Sequence, residues 1–313
     1  MIVTELYNGQ GLGNQLWNYF VTKIIATKKG YKHGVISTEK FKGKEFLDID
    51  FGQEVEGGSG PEGGPPNSLP KGVIYYYKEK ITRHPSGLDI SKYDEKLFEI
   101  SDNTKIDGNL QSFEYIKNHK ELIRSFFKIK EGFLIEDYNH KDICVIHIRG
   151  GDFSGSSALL GFDYYQNGIN KMLEVNKNMK FYIITDDIGY SKSLFPNIEI
   201  IGSATSGMVD LNKANHHMGG PIWMDWSILY NCKNAIISAS SFSFWPLWLN
   251  KNGVNVIAPM YWADYKKSDG YWSCGDSLIE DWHYLDRFGN YYDYNHCLKL
   301  KLIYEEKNKH LWN

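Results

Sequence analysis

Cys144-Val145-Ile146-His147-Ile148-Arg149-Gly150-Gly151-Asp152-Phe153 is the stretch on which the fold reading turns. An apolar run carries His147 and Arg149 at alternate positions. Period-two alternation makes it a strand whose C-terminal end delivers a fixed cation into the turn Gly150-Gly151-Asp152. In an open α/β sheet, ligands bind at that end of the strands. An always-charged guanidinium there suits a phosphate. A strand-end Arg in a surface ion pair would give the same pattern, so the stretch alone leaves both readings open.

The sequence downstream repeats the alternation of strand and helix. Residues 162–175 have helical spacing, and residues 181–185 form an apolar strand ending in Asp186-Asp187. A short strand at 198–201 follows, then a helix over 223–232 and a strand over 235–239. Ser240-Ser241-Phe242-Ser243-Phe244-Trp245 opens the next helix, so hydroxyls and unpaired N–H groups collect at a helix start. A strand at 254–259 and a basic helix at 297–309 close the chain.

Upstream, residues 2–7 read as a strand. Asn8-Gly9-Gln10-Gly11-Leu12-Gly13-Asn14-Gln15 follows, then Leu16, Trp17, Tyr19, Phe20, Ile24 and Ile25 at helical spacing. Strand, Gly-rich turn and helix let backbone N–H groups approach an anion or a sugar closely. A dinucleotide fingerprint is rejected: the glycines run G-x-G-x-G, and no acidic residue ends a second strand about 20 residues on. Asn14 either donates to a ligand or caps the turn, and spacing alone favours the cap. Strands are expected at 31–37, 73–77 and 105–110, and a helix over 115–127. The Gly/Pro-rich segment 52–70 cannot bury a core and reads as a loop. The weakly periodic charged stretch 128–141 places a domain boundary at its end. The expected domains are therefore 1–140 and 141–313. Both halves are α/β with parallel sheets.

At 313 residues the chain exceeds the usual single-core size, which makes two domains the default. A net charge of -3 without a dense Lys/Arg stripe argues against nucleic acid as a partner. Aromatic residues reach 15%, a supply of apolar walls with polar handles that carbohydrate sites use. Cys144, Cys232, Cys274 and Cys297 show no metal spacing, and Cys144 and Cys232 fall in apolar patterns that read as buried thiols. A reducing cytoplasm is the expected location, with at most peripheral contact at the inner face of a membrane. No run of about 18 apolar residues occurs, so no spanning helix is expected. His216 and His217 lack a partner at helical spacing, and no metal site is expected there.

Three strand ends of the second half can act together on a nucleoside diphosphate. Arg149 and the helix start at Ser240 to Ser243 would take the diphosphate, and a carboxylate of the Asp186-Asp187 pair would accept from the N–H edge of a base such as guanine. No Walker motif is present, and a lone acidic pair does not require Mg²⁺.

With these residues in view, the sequence resembles the α-1,2-fucosyltransferases of glycosyltransferase family 11. The family's opening Gly-Leu-Gly-Asn-Gln is Gly11 to Gln15, and its His-x-Arg-Arg-x-Asp is His147, Arg149, Gly150 and Asp152. Its Ser/Thr-Asp-Asp is Thr185 to Asp187. Its Asp-x-x-x-Met-x-x-Cys-Lys is represented by Asp225, Cys232 and Lys233. Its Ser-Ser-Phe-Ser-Trp-Trp is Ser240 to Trp245, and Ala-Pro-x-x-Trp is Ala258 to Trp262. These landmarks, in order, cover most of the chain.

The resemblance implies a GT-B-type fold, two Rossmann-like domains facing a cleft, with 1–140 the acceptor-side α/β domain and 141–313 the GDP-sugar-binding domain. It implies transfer of L-fucose from GDP-fucose, with inversion and without a metal or other cofactor, to the 2-hydroxyl of a galactose-like residue. The acceptor would be an oligosaccharide or lipid-linked glycan. Carried over residue by residue, Arg149 holds the β-phosphate as it leaves, Asp152 orders that Arg, and Asp186 faces the nucleoside. Ser241, Phe242 and Ser243 bind the diphosphate, and Asn14 reaches the reacting centre. Gly11, Gly13, His147, Asp225 and Ser240 complete the donor-side set. Gly150 stands where the family has a second Arg, which leaves room for a different GDP-sugar. Pro246 is expected in the first turn of its helix.

Overall fold

Ile2–Glu5 is buried at every position and forms the central strand β1 of the first unit. The helix α1, Leu12–Lys29, follows it after the Gly-rich turn and ends at Gly30, whose φ of 68° supplies a left-handed cap. β2 (His33–Ile36) returns parallel to β1, in register from Ile2↔His33 to Glu5↔Ile36. β3 (Leu47–Ile49), β4 (Tyr75–Lys78), β5 (Ile81–Arg83), β6 (Asp89–Ser91) and β7 (Thr104–Asp107) come next. β7 inserts between β1 and β4, giving a parallel sheet of order β2-β1-β7-β4.

The computed structural model describes residues 1–55, 69–83, 89–156, 158–202, 221–260, 278–307 and 309–311. Most of the Gly/Pro-rich segment, His216, His217, Trp262 and Cys274 lie outside them.

The helix expected over 115–127 is shorter in the structure. A 3-10 turn covers Phe113–Tyr115, α2 covers Lys120–Ser125, and β8 takes Phe127–Ile129. β8 pairs antiparallel with β3, so Phe127 faces Ile49 across a ladder that the local spacing could not reveal. The short pair β5 and β6 has the same non-local origin.

The second unit begins at Glu131. Residues 131–140, which the sequence pattern leaves with the first half, are fastened here. The Ile135 N–H donates to Ser227 Oγ at 2.7 Å, and the Asn231 amide donates to the Ile135 carbonyl at 3.1 Å. β9 (Ile143–Ile148), α3 (Phe162–Val175), β10 (Lys180–Thr185), α4 (Ile188–Leu194) and β11 (Glu199–Gly202) alternate regularly. α5 (Ile222–Asn231), β12 (Asn234–Ile237), α6 (Ser241–Leu249), β13 (Asn255–Pro259) and β14 (His283–Leu285) continue the pattern. β15 (Tyr291–Tyr292) adds an antiparallel edge, and α7 (Tyr294–Lys307) follows.

The strand order β11-β10-β9-β12-β13-β14-β15 is the doubly wound one, with β9 and β12 adjacent in its interior. Cys144, Ile146 and Ile148 of β9 pack on Tyr164, Tyr165, Ile169 and Met172 of α3 in one apolar cluster. Burying side chains of this size contributes about 1.5–3 kcal/mol each, and a one-residue slip would forfeit all three at once. That penalty fixes the face on which His147 and then Arg149 emerge. Cys144, Cys232 and Cys297 are free and buried.

Candidate active site

The order of the second sheet reverses between β9 and β12, so their C-terminal ends border the crevice where a doubly wound sheet binds its ligand. Arg149 stands at the end of β9. Its Nη1 lies 2.8 Å from Asp186 Oδ2, and its Nη2 lies 2.9 Å from Asp152 Oδ1. Asp186, at the end of β10, also accepts the Gly150 N–H at 2.8 Å through Oδ1. One carboxylate thus fixes both the guanidinium and the backbone that carries it. Burial raises the Asp186 pKa, and Arg149 and the Gly150 N–H oppose that rise by favouring the charged form. Asp152 is the exposed member of the trio, and the Phe153 ring lies 5.7 Å from the guanidinium carbon.

His147 is buried two residues before the Arg, and its ring is 6.1 Å from that of Phe242. Burial first, and the Arg149 charge next, lower its pKa to about 3, so it is neutral at physiological pH. Its Nδ1 lies 3.1 Å from Ser238 Oγ. Ser238 was absent from the residues singled out in the sequence. Its Oγ also accepts the Arg149 N–H at 3.0 Å, joining the ends of β9 and β12 at the point of reversal. A small polar residue closing an apolar strand just before the serine loop was the available signal.

The serine loop divides its roles. Ser240 caps α6 by accepting the Phe242 N–H at 3.3 Å. Ser243 is fully buried and donates to the Ser240 carbonyl at 3.1 Å. Ser241 and Phe242 are half-buried in the first turn. Pro246 departs from expectation: α6 starts at Ser241, so the proline sits inside the helix rather than in its first turn. Without an N–H it cannot donate to the Phe242 carbonyl four residues back, so that carbonyl lacks its helical donor at the ligand end of α6.

Gly150 and Gly202 are close-approach positions. A Cβ on Gly150 would lie 2.5 Å from Asp187 Cβ, and one on Gly202 would lie 2.0 Å from Asp225 Oδ1. Asp225, buried on α5, therefore packs over the end of β11, two strands from Arg149. Asp187 is the N-cap of α4 and accepts the Tyr190 N–H at 2.9 Å. Among the described residues, no group of three or more His, Cys, Asp or Glu side chains is arranged to hold a metal ion.

Gly11, Gly13 and Asn14 belong to the first unit. Gly11 is the N-cap of α1 and Gly13 is buried one residue into the helix. Asn14 does not act as the cap: its Oδ1 accepts from Gln111 Nε2 at 2.7 Å, tying the first turn of α1 to the loop after β7. The neighbouring Gln15 is fully buried, donating to the Lys40 carbonyl and accepting the Lys42 N–H, each at 2.9 Å. Asn14 and Gln15 of the Gly-Leu-Gly-Asn-Gln pattern thus both make structural hydrogen bonds.

The family model described as Glycosyl transferase family 11 matches residues 107–286, more than half of the chain. The chain is 24% identical over 196 residues to the O-antigen biosynthesis glycosyltransferase WbnK of Escherichia coli, a match covering 53% of this chain and 60% of the relative. It is 25% identical over 184 residues to an Escherichia coli alpha-1,2-colitosyltransferase, covering 55% and 60%. The chain thus spans about 60% of the length of the curated relatives it matches. Among solved structures it is similar to the fucosyltransferase NodZ from Bradyrhizobium, at 15% identity and a TM-score of 0.45, over 79% of this chain and 92% of that one.

Proposed function

The chain belongs to glycosyl transferase family 11, and on that premise we propose that it moves L-fucose from GDP-fucose to the 2-hydroxyl of a galactose-like residue of a bacterial surface glycan. One observation carries the chemistry: a preorganised Arg149 at the reversal point of a doubly wound sheet, held by Asp152 and Asp186. Two of its five N–H groups meet carboxylates, which leaves others for an oxyanion. In the proposed step the C1–O bond of the donor breaks and its electron pair goes to the departing diphosphate. The acceptor oxygen bonds to C1 from the opposite face, and its proton leaves to a base. Arg149 stabilises the charge that grows on the diphosphate, with the first-turn N–H groups of Ser241 and Phe242 as further donors. Nothing in this reading requires a metal. Asp186 already serves the guanidinium and Asp187 caps a helix.

A different GDP-sugar is the second reading. One relative is named as a colitosyltransferase, which favours it, whereas the room expected beside Gly150 is filled by Asp187. A panel of GDP-sugars assayed with lactose as acceptor separates the two. Transfer from GDP-fucose supports the first reading, and fast transfer only from another donor replaces it with the second. GDP binding without GDP release from any donor and acceptor pair would leave a nucleotide-binding module.

A further inference from the structure

The sheet of the first unit also reverses its strand order, between β1 and β7, and a second constellation sits at those strand ends. Asp107 ends β7 and is half-buried. Its Oδ2 accepts from the Tyr76 hydroxyl at 2.8 Å, and its Oδ1 accepts from the Tyr7 hydroxyl at 3.3 Å. Tyr76 pairs with Lys105 in the β4–β7 register, so it is the diagonal neighbour of Asp107 on one sheet face. Tyr7 arrives from the turn that follows β1.

The carboxylate here differs from Asp152 and Asp186, which share the Arg149 guanidinium. Lys105 is spent on Glu5 at 2.5 Å, both fully buried, and among the described residues no cation is ion-paired to the Asp107 carboxylate at the strand end. Such a site repels a diphosphate. It offers a fixed acceptor between two phenols that burial, together with Asp107, keeps protonated. Carboxylate lone pairs beside phenolic hydroxyls and aromatic rings match the adjacent hydroxyls and apolar face of a neutral sugar. Beside it, the loop after β7 is held in a rare conformation. Leu110 has a φ of 51°, and the buried Glu79 carboxylate accepts the Asn109 and Leu110 N–H groups at 2.6 and 3.1 Å. A branched residue in that region persists only where its surroundings impose it.

We propose that Asp107, flanked by Tyr7 and Tyr76, is the hydroxyl-binding site for the acceptor sugar, a terminal β-galactoside. The proposal rests on the glycosyl-transfer reading for the identity of the sugar. The site itself rests on geometry within one unit.

The test uses the full chain and lactose, with binding read by saturation-transfer NMR and donor-side integrity read by thermal protection with GDP. Wild type should show transfer to the galactose protons. Asp107→Asn should weaken lactose about tenfold, the loss of one charge-assisted hydrogen bond, and Tyr76→Phe should weaken it less. GDP protection should be unchanged in both variants, which also shows that they are folded. No lactose signal in wild type, or an undiminished one in a GDP-protected Asp107→Asn, overturns the site. Failure of the transfer reading looks different: no GDP-sugar turns over, while lactose binding still depends on Asp107.

Discussion

Removal of the Arg149 guanidinium should separate its two duties. Asp186 has a side chain only 7% exposed, and its Oδ2 is paired with Arg149. Deleting one partner of a buried pair costs about 3–5 kcal/mol when the other is left uncompensated. Here Arg149 is itself 18% exposed and the Gly150 N–H remains on Oδ1, so about 2–3 kcal/mol is the expected loss for Arg149→Ala. Making Asp186 neutral in the same background should return most of that stability, because Arg149→Ala/Asp186→Asn buries no orphan charge. Turnover should not return. Loss of one transition-state donor lowers it by roughly 10²–10³, and Asp186→Asn does not replace the donor. Urea denaturation of wild type, both single variants and the double variant gives the stability cycle, and GDP release gives turnover. Arg149→Ala as stable as wild type would refute the claim that Asp186 depends on the guanidinium. Turnover within tenfold of wild type would remove Arg149 from the leaving-group role.

Three further outcomes are expected. His33 and His147 both have pKa values lowered by burial to about 3, below the ordinary 6.5, so the unfolded chain binds protons that the folded chain refuses. Their stabilising contribution is present above pH 6.5 and is lost as the pH falls, about 2 kcal/mol each by pH 5; urea midpoints that do not change between pH 7.5 and 5 would contradict this. Gly150→Ala places a methyl 2.5 Å from Asp187 Cβ and should cost about 1–3 kcal/mol while loosening the cap of α4; an unchanged urea midpoint would show that the loop yields freely. Transfer should persist in excess EDTA, and complete loss restored by Mg²⁺ would move Asp186 and Asp187 to a metal role.

The alternating run Cys144 to Ile148 was readable because burial on a sheet imposes a period of two, and a glycine pair after it announces a turn. The helix expected over 115–127 was not sustained because β8 gains a partner in β3, 78 or more residues away in the chain, and local spacing carries no trace of that ladder. Pro246 shows the same limit at the site. Its residue type suited a first turn, but the helix begins where Ser240 can cap it.

By itself the sequence determined the alternation of strands and helices, the position of Arg149 at a strand end, and the kinship of the ordered motifs. These follow from local periodicity and from residue identity. Only the tertiary structure decided which strand ends adjoin. It set β9 beside β12, brought Asp186 to Arg149 beside the local Asp152, brought in Ser238, and gathered Tyr7, Tyr76 and Asp107 from three separate segments. The physical reason is the same in each case. Strand order is settled by the burial of whole faces and by crossover connections, whereas the chemistry at the strand tips depends on neighbours that lie far apart in sequence.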